Sequence, residues 1–330
     1  MELQLKNIGM IKEANVKIDG LTVIAGENDT GKSTVGKALF ALLKGRTYAK
    51  YNNQNLNTKV EWIFNQLSKR QLLRNNSYIS FIDEYDFNKN IVFDKNYPKN
   101  ELIGNQKFIE AIFIESPIVF NLYETFSGIA HANSILDFKI TFPYLSWDLY
   151  LKLSQNSRTI KYSPQILNNL SEKIGKIIFG EFIHKREMSM DKWIFHKNGY
   201  DYEIENIATG IKQFGILQAI IKQGYLSPDR ILILDEPEVH LHPKWQLKMA
   251  EIIIQLVKQG IKILVTSHSP YMIEALKRYS EVEEIEEKTN FYLAENGYIE
   301  PQESLENIFE KLALPMRELQ ELKLKRYLND

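Results

Sequence analysis

A chain of 330 residues with 44% hydrophobic and 25% charged residues can bury a large core, as one elaborated domain or two. Lysine and arginine total 41 against 42 acids, so the net charge of −1 gives no global pull toward nucleic acid or anionic lipid, although a local basic face stays open. The absence of cysteine excludes disulfides and thiolate metal sites and fits a cytoplasmic location, and no apolar run reaches the ~20 residues needed to span a bilayer.

The amino terminus alternates apolar and polar residues from Glu2 and carries no secretory pattern. Leu21 to Ala25 is a short apolar run that predicts a buried strand. Directly after it stand Gly26, Glu27, Asn28, Asp29, Thr30, Gly31, Lys32 and Ser33, a full match to G-x-x-x-x-G-K-[ST]. Thr34 to Leu43 reads as the following helix. Strand, glycine loop and helix in that order set backbone N–H groups at a helix N-terminus, where the dipole favours phosphate. Lys32 is then the expected partner of the β- and γ-phosphates, and the Ser33 hydroxyl the expected ligand of Mg²⁺.

Residues 45–107 are rich in asparagine, lysine and aromatics. Asn52 to Asn55 predicts a polar surface loop, and Val60 to Leu73 has helical spacing. Asp83, Glu84 and Asp86 form an acidic cluster that reads as a solvated loop rather than a metal site. Ala111 to Ile114 predicts a strand that ends in Glu115, Ser116 and Pro117. Residues 120–185 read as mostly helical, with no sustained heptads. Trp193 to Phe195 and Tyr200 to Ile204 flank Asn198-Gly199, which predicts a hairpin. Its aromatics, near Lys185, Arg186 and Lys192, read as hairpin packing in preference to a surface for stacking bases.

The segment Ala208-Thr209-Gly210-Ile211-Lys212-Gln213 opens a helix that runs to about Gln223, with Thr209 as a candidate N-cap. Ile231 to Leu234 is an apolar run suited to a central parallel strand, and Asp235 and Glu236 stand at its C-terminal end, where open α/β sheets bind ligands. Asp235 is the expected Mg²⁺ holder and Glu236 the expected general base for an attacking water. Ile261 to Ser267 repeats the buried-strand pattern and ends in His268, expected near the γ-phosphate and its developing charge. His240 and His242 also fit an H-x-H metal pair, but no further ligand stands nearby. A second hairpin is expected around Asn296-Gly297, then short helices near Glu303 to Leu312 and Met316 to Leu328, the last docking on the head or on a partner.

Together these residues resemble the ABC class of ATPases, in its SMC/OLD-like branch rather than among transporter subunits. Leu234-Asp235-Glu236-Pro237-Glu238 followed by His240-Leu241-His242-Pro243 looks like the OLD-like and AAA15/AAA21-type bacterial ATPases, as do Leu3 to Asn7, Val16 to Ile18 and residues 206–214. The resemblance covers about residues 1–45 and 190–300 and is poor between them. It implies an α/β fold: an ABC-type P-loop ATPase head with a mixed β-sheet core and an inserted, mainly helical lobe. The core would come from residues 1–45, 108–120 and 190–300, the lobe from about 46–107 and 121–189, and a helical tail from 301–330.

The resemblance further implies ATP and Mg²⁺ as ligands and a homodimer closed head-to-tail over two ATP molecules. Thr209, Gly210 and Gln213 of one subunit would meet the γ-phosphate held by the other, and residues 238–243 would line the seam. The family's glutamine loop has no glutamine here, so Glu115 or Ser116 is the candidate for the Mg²⁺-facing role. The implied activity is ATP hydrolysis driving a switch that controls an effector encoded nearby, such as a nuclease or toxin, in phage defence or a toxin–antitoxin or retron-like system. Two alternatives stand beside it: a RecF/SMC-like repair ATPase clamping DNA, and an ATP-stabilised scaffold with little turnover. About sixty residues after His268 are too few for the Toprim nuclease domain of OLD proteins.

Overall fold

The computed structural model describes residues 1–49, 73–82, 88–94, 97–103, 110–136, 143–154, 165–186 and 191–314. The chain opens with strands β1 (Glu2–Ile8), β2 (Ile11–Lys17) and β3 (Leu21–Ala25) and helix α1 (Lys32–Ala49). Strands β4 (Leu73–Ile82), β5 (Asn88–Asp94), β6 (Tyr97–Ile103) and β7 (Glu110–Ile114) follow. Four helices come next, α2 (Ile118–Asn121), α3 (Tyr123–Leu136), α4 (Tyr144–Ser154) and α5 (Gln165–Ile178). Strands β8 (Glu181–Arg186), β9 (Asp191–Lys197) and β10 (Tyr200–Glu203) lead through a 3₁₀ turn into α6 (Thr209–Lys222). The core resumes with β11 (Arg230–Asp235), α7 (Pro243–Lys258), β12 (Lys262–Ser267), α8 (Pro270–Val282), β13 (Thr289–Glu295), β14 (Tyr298–Gln302) and α9 (Glu306–Leu312).

Eleven of these strands form one mixed sheet in the order β6-β5-β4-β1-β2-β14-β13-β3-β12-β11-β7. Strands β13, β3, β12, β11 and β7 run parallel to one another, β6, β5, β4, β1 and β2 pair antiparallel in turn, and β14 joins the two groups, antiparallel to β13 and parallel to β2. The parallel strands are mostly apolar along their middles because both faces are covered. Ile24, Ile231, Ile233 and Leu264 face the cluster that holds Val35, Leu39 and Phe40 of α1. Val23, Leu232, Leu234, Ile263 and Val265 face the opposite cluster, with Phe214 of α6, Ile253 of α7 and Met272 of α8. Helix α1 sits tightly on the sheet: a Cβ at Gly36 would lie 3.0 Å from Ile233 Cγ2 and 3.2 Å from Phe113. The phosphate-loop helix therefore has little freedom to shift without the strands under it.

Two sequence expectations are corrected here. Residues 73–103 were expected in the helical lobe, yet their described parts are strands that extend the main sheet. Ile79 and Phe81 are buried opposite Leu5 and Leu3 of β1, so a period of two completes the core begun by the first hairpin. The described parts of residues 120–185 are mostly helical, as expected, but the helical lobe expected to 189 ends at Ile178, after which β8 joins β9 and β10 in a second, antiparallel sheet. Gln218 of α6 ties this sheet to the lobe, accepting from Phe182 N at 2.8 Å and donating to Ser171 O at 3.1 Å.

The hairpins expected at Asn198-Gly199 and Asn296-Gly297 are present, and all four turn residues have positive φ, the backbone that asparagine and glycine tolerate best. Trp193 and Phe195 are buried, as the packing reading expects, whereas Tyr200 and Tyr202 are exposed. The helix expected from Glu303 begins at Glu306. The polar loop at 52–55, the helix at 60–73 except its last residue, the cluster Asp83, Glu84 and Asp86, and the helix at 316–328 lie outside the described residues. Among the described residues no helix is long and apolar enough to cross a membrane.

Candidate functional site

The phosphate loop joins the end of β3 to the start of α1. Gly26 has φ 156° and packs where a Cβ would meet Ala294 O at 2.6 Å, while Gly31 has φ 95° and lies against Ile11. Asp29 is left-handed at φ 64°. Only residues that tolerate such backbone fit this loop, and the result is a cradle opening onto the N-terminus of α1. Thr30 Oγ1 donates to Glu27 O at 2.9 Å, and Thr34 N donates to Gly31 O at 3.0 Å, closing the first turn. Glu27, Asn28 and Asp29 form the exposed rim.

Lys32 is 3% exposed. Its Nζ donates to Glu27 O at 2.6 Å and lies 3.7 Å from Glu236 Oε1. Burial lowers its pKa, and the carboxylates of Glu236, Asp235 and Glu238 act against that. A buried ammonium aimed into a glycine cradle is a donor set that fits a polyphosphate.

The carboxylates arrive from the neighbouring strand. β11 and β12 are parallel and in register, pairing Asp235 with Thr266. Thr266 Oγ1 donates to Asp235 Oδ1 at 2.5 Å, and the Ser33 hydroxyl is a second donor to that carboxylate. Burial raises the pKa of Asp235 despite both bonds. A buried carboxylate beside a serine hydroxyl is a hard-oxygen pair that fits Mg²⁺. Thr266 was not among the expected site residues; its signal was a hydroxyl at the polar end of an apolar strand.

Glu236 follows in a left-handed conformation, φ 48°, held by its N–H donating to Thr266 O and Oγ1, both at 3.1 Å. A non-glycine residue kept in this region stores strain that the surroundings hold in place. His268 Nδ1 lies 3.3 Å from Glu236 Oε1, near enough for an ion pair, though not aligned as a hydrogen bond. The two groups shift each other: His268 holds Glu236 below the ordinary carboxylate range, and Glu236 holds His268 above its ordinary value. Glu236 thus stays ionised and able to accept a proton.

Glu115 stands at the end of β7, the strand beside β11, and ion-pairs with Lys37 of α1 at 2.9 Å. Its place matches the expectation, but its charge already has a partner in Lys37, which sequence reading missed. Ser116 Oγ accepts from Ile118 N at 3.3 Å and faces the start of α2 instead.

The segment at 208–213 forms the start of α6, but the N-cap is Ala208, without a side-chain bond, and Thr209 is the first helical residue. Thr209 is therefore not a cap and stands exposed. Gly210 abuts the loop after β11, where a Cβ would lie 3.1 Å from His240 O. Gln213 is buried, with an unpaired Oε1, so it lies beneath the surface that Thr209 presents. His242 caps α7 by accepting from Lys244 N at 3.3 Å, and no group of three metal-ligating side chains occurs among the described residues. Of the H-x-H pair, His242 serves the helix start, and His240 turns the loop with φ 64°.

The chain belongs to the family described as "AAA domain, putative AbiEii toxin, Type IV TA system", whose model matches residues 21–274. It is 22% identical over 306 residues to the Septu protein PtuA of Bacillus thuringiensis, covering 83% of this chain and 72% of that protein. Its fold is similar to an SMC head bound to the C-winged helix domain of ScpA (TM-score 0.53, 15% identity, 94% of this chain and 98% of that one). It is also similar to the recombination mediator RecF-ATPrS (TM-score 0.51, 14% identity, 91% and 97%). Its fold is thus that of the SMC and RecF ATPase heads, with a large mixed sheet and helices on both faces.

Proposed function

We propose that this chain binds Mg²⁺–ATP, hydrolyses it to ADP and phosphate, and uses the cycle as a switch that a partner protein reads. The observation that carries the proposal is a convergence. The buried ammonium of Lys32 lies 3.7 Å from Glu236 Oε1, and His268 Nδ1 lies 3.3 Å from the same oxygen. A phosphate cradle, a base and a histidine thus meet at one carboxylate. Lys32 neutralises phosphate charge, Glu236 takes the proton of the attacking water as the bond to the γ-phosphate breaks, and His268 faces the charge that develops. Mg²⁺, held by Ser33 and Asp235, would neutralise charge on the phosphate oxygens.

Closure is proposed to pair two copies head-to-tail, with Thr209 and Gly210 of each meeting the other's phosphate loop and Gln213 supporting them from below. Likeness to the Septu protein PtuA favours phage defence as the setting, with an effector such as a nuclease or toxin as the partner. The experiment compares Lys32→Ala with Glu236→Gln for ATP affinity and phosphate release. Lys32→Ala is expected to lose tight binding, and Glu236→Gln to keep binding and lose turnover. An active Glu236→Gln protein would refute the assignment of the base.

A further inference from the structure

Loop 236–242 and the turn that carries His268 are joined by a closed line of buried polar side chains. Glu238 Oε1 accepts from Ser267 Oγ at 2.7 Å and from His268 N at 2.9 Å. Ser267 Oγ in turn accepts from Ser269 N at 3.1 Å. Ser269 Oγ accepts from Met272 N at 3.4 Å, capping α8, and donates to Gln246 Oε1 at 2.5 Å. Gln246 Nε2 donates to Leu241 O at 3.0 Å. The line leaves the loop at 238 and returns to it at 241. Glu238, Gln246, Ser267 and Ser269 are all buried.

Two features argue for more than packing. Glu238 is 4% exposed, and its Oε2 has no hydrogen-bond partner. An orphaned carboxylate oxygen in the interior is costly, so a site selected for stability alone would hold an apolar or neutral side chain. The other oxygen, Oε1, is 3.6 Å from His268 Nδ1 as well as bonded to the His268 backbone. The carboxylate therefore grips His268 at both backbone and ring. Loop 236–242 also carries two left-handed non-glycine residues, Glu236 and His240, a backbone held by its surroundings and not by local preference.

We infer that Glu238 is a positioning residue: through Ser267, Ser269 and Gln246 it locks loop 236–242 to the His268 turn, so that the placement of the loop sets the imidazole against Glu236. This deepens the reading of His268 as a group at the γ-phosphate and rests on it. It also gives a physical route from the seam to the site. Gly210 packs on the loop at His240, so a partner docking at the start of α6 bears on the same loop. The route is rigid, buried hydrogen bonds, which are stronger where water is excluded.

The test has two arms. In ATP turnover, Glu238→Ala should lower kcat about 10²-fold, as expected for a displaced reacting group, with little change in KM. Glu238→Gln should recover most of that loss, because its carbonyl oxygen still accepts from Ser267 and His268. Gln246→Leu should fall between them, and the double variant should be less than additive. The second arm needs no nucleotide. The charged groups facing the His268 ring are Glu236, Glu238 and Lys32. In histidine NMR, with the His268 signals assigned through His268→Gln, Glu238→Ala should move those signals and lower the ring's midpoint, since a raising carboxylate is gone. A folded Glu238→Ala protein whose His268 signals and midpoint match the parent overturns the inference. A parent chain without turnover overturns the ATPase reading instead, and the NMR arm still decides whether Glu238 holds the ring.

Discussion

Replacing Asp148 by alanine should destabilise the chain by about 3–5 kcal/mol, the usual cost of breaking a buried ion pair by removing one partner. Asp148 lies buried on α4 and accepts from Lys152 one turn on and from Lys44 of α1 at 2.8 Å. Glu110 of β7 is the other nearby carboxylate, 3.5 Å from Lys44, 3.8 Å from Lys152 and 3.3 Å from Arg230. Without Asp148, three cations would share one partly exposed glutamate. An unfolding entropy of about 2.1 cal/mol/K per residue makes this loss about 4–7 °C in Tm for a chain of this size. Thermal unfolding at pH 7, followed by circular dichroism, measures it.

The pH dependence gives a second check on Asp148. Burial pushes its carboxyl up, but Lys152 and Lys44 outweigh burial and hold it below the ordinary 3.8. Its contribution is therefore complete above pH 3.8 and is lost as pH falls through the lower folded value, so the gap between parent and variant narrows in acid. On the alkaline side, burial brings Lys152 down to about 8 even with Asp148 present. The variant removes that support and lowers Lys152 further. A lysine with a depressed folded pKa gains stability as pH rises through that value, so part of the gap closes between the variant's lower Lys152 value and about pH 8, above which both proteins gain alike. A Tm change under about 1 °C at pH 7, or a gap that widens in acid, would refute the reasoning.

Three further outcomes follow from the same geometry. Thr209→Asp in a Glu236→Gln background should remain monomeric in ATP and Mg²⁺ by light scattering, because a carboxylate at this exposed position would face the partner's γ-phosphate; a dimer as complete as the parent's would exclude residues 208–213 from the seam. Gly210→Asp is the weaker probe, since any side chain there also presses on His240 O. Gly215→Ala should lower the urea midpoint by the equivalent of about 1–3 kcal/mol, because the new Cβ would lie 2.3 Å from the Phe182 ring, and a stabilised variant would show that the ring swings clear at no cost. The purified chain alone should cleave neither plasmid, single-stranded DNA nor tRNA; cleavage that survives Lys32→Ala and is lost in Asp83→Ala would make the acidic cluster catalytic.

What was legible in the sequence is what the chain encodes locally. The phosphate loop is eight consecutive residues, and its glycines stand where positive φ is required. The two Asn-Gly turns likewise carry their backbone preference in two letters. The apolar runs of β3, β11 and β12 report strands buried on both faces, and nothing else of that length and composition fits between the neighbouring polar segments. The meander β4–β6 was missed because its signal, buried Ile79 and Phe81 in alternation, gains meaning only opposite Leu3 and Leu5 far earlier in the chain.

The polar partners of the site follow a different logic. Thr266 with Asp235, Glu238 with Ser267, and Gln246 with Ser269 each join residues from separate segments, so no local pattern predicts them. They become derivable once β11 and β12 are taken as parallel neighbours. In-register parallel strands end together, so whatever follows Asp235 must lie beside whatever follows Thr266. An acidic segment leaving one strand then meets a hydroxyl-rich segment leaving the next, and buried carboxylates there need those hydroxyls as donors. The sequence Thr266-Ser267-His268-Ser269 after an apolar strand is thus the complement of Asp235-Glu236-Pro237-Glu238 after its neighbour. Reading the two strand ends as one composite motif would have placed Thr266 and Ser267 in the site, whereas Gln246, reached only through the packing of α7, would still have escaped.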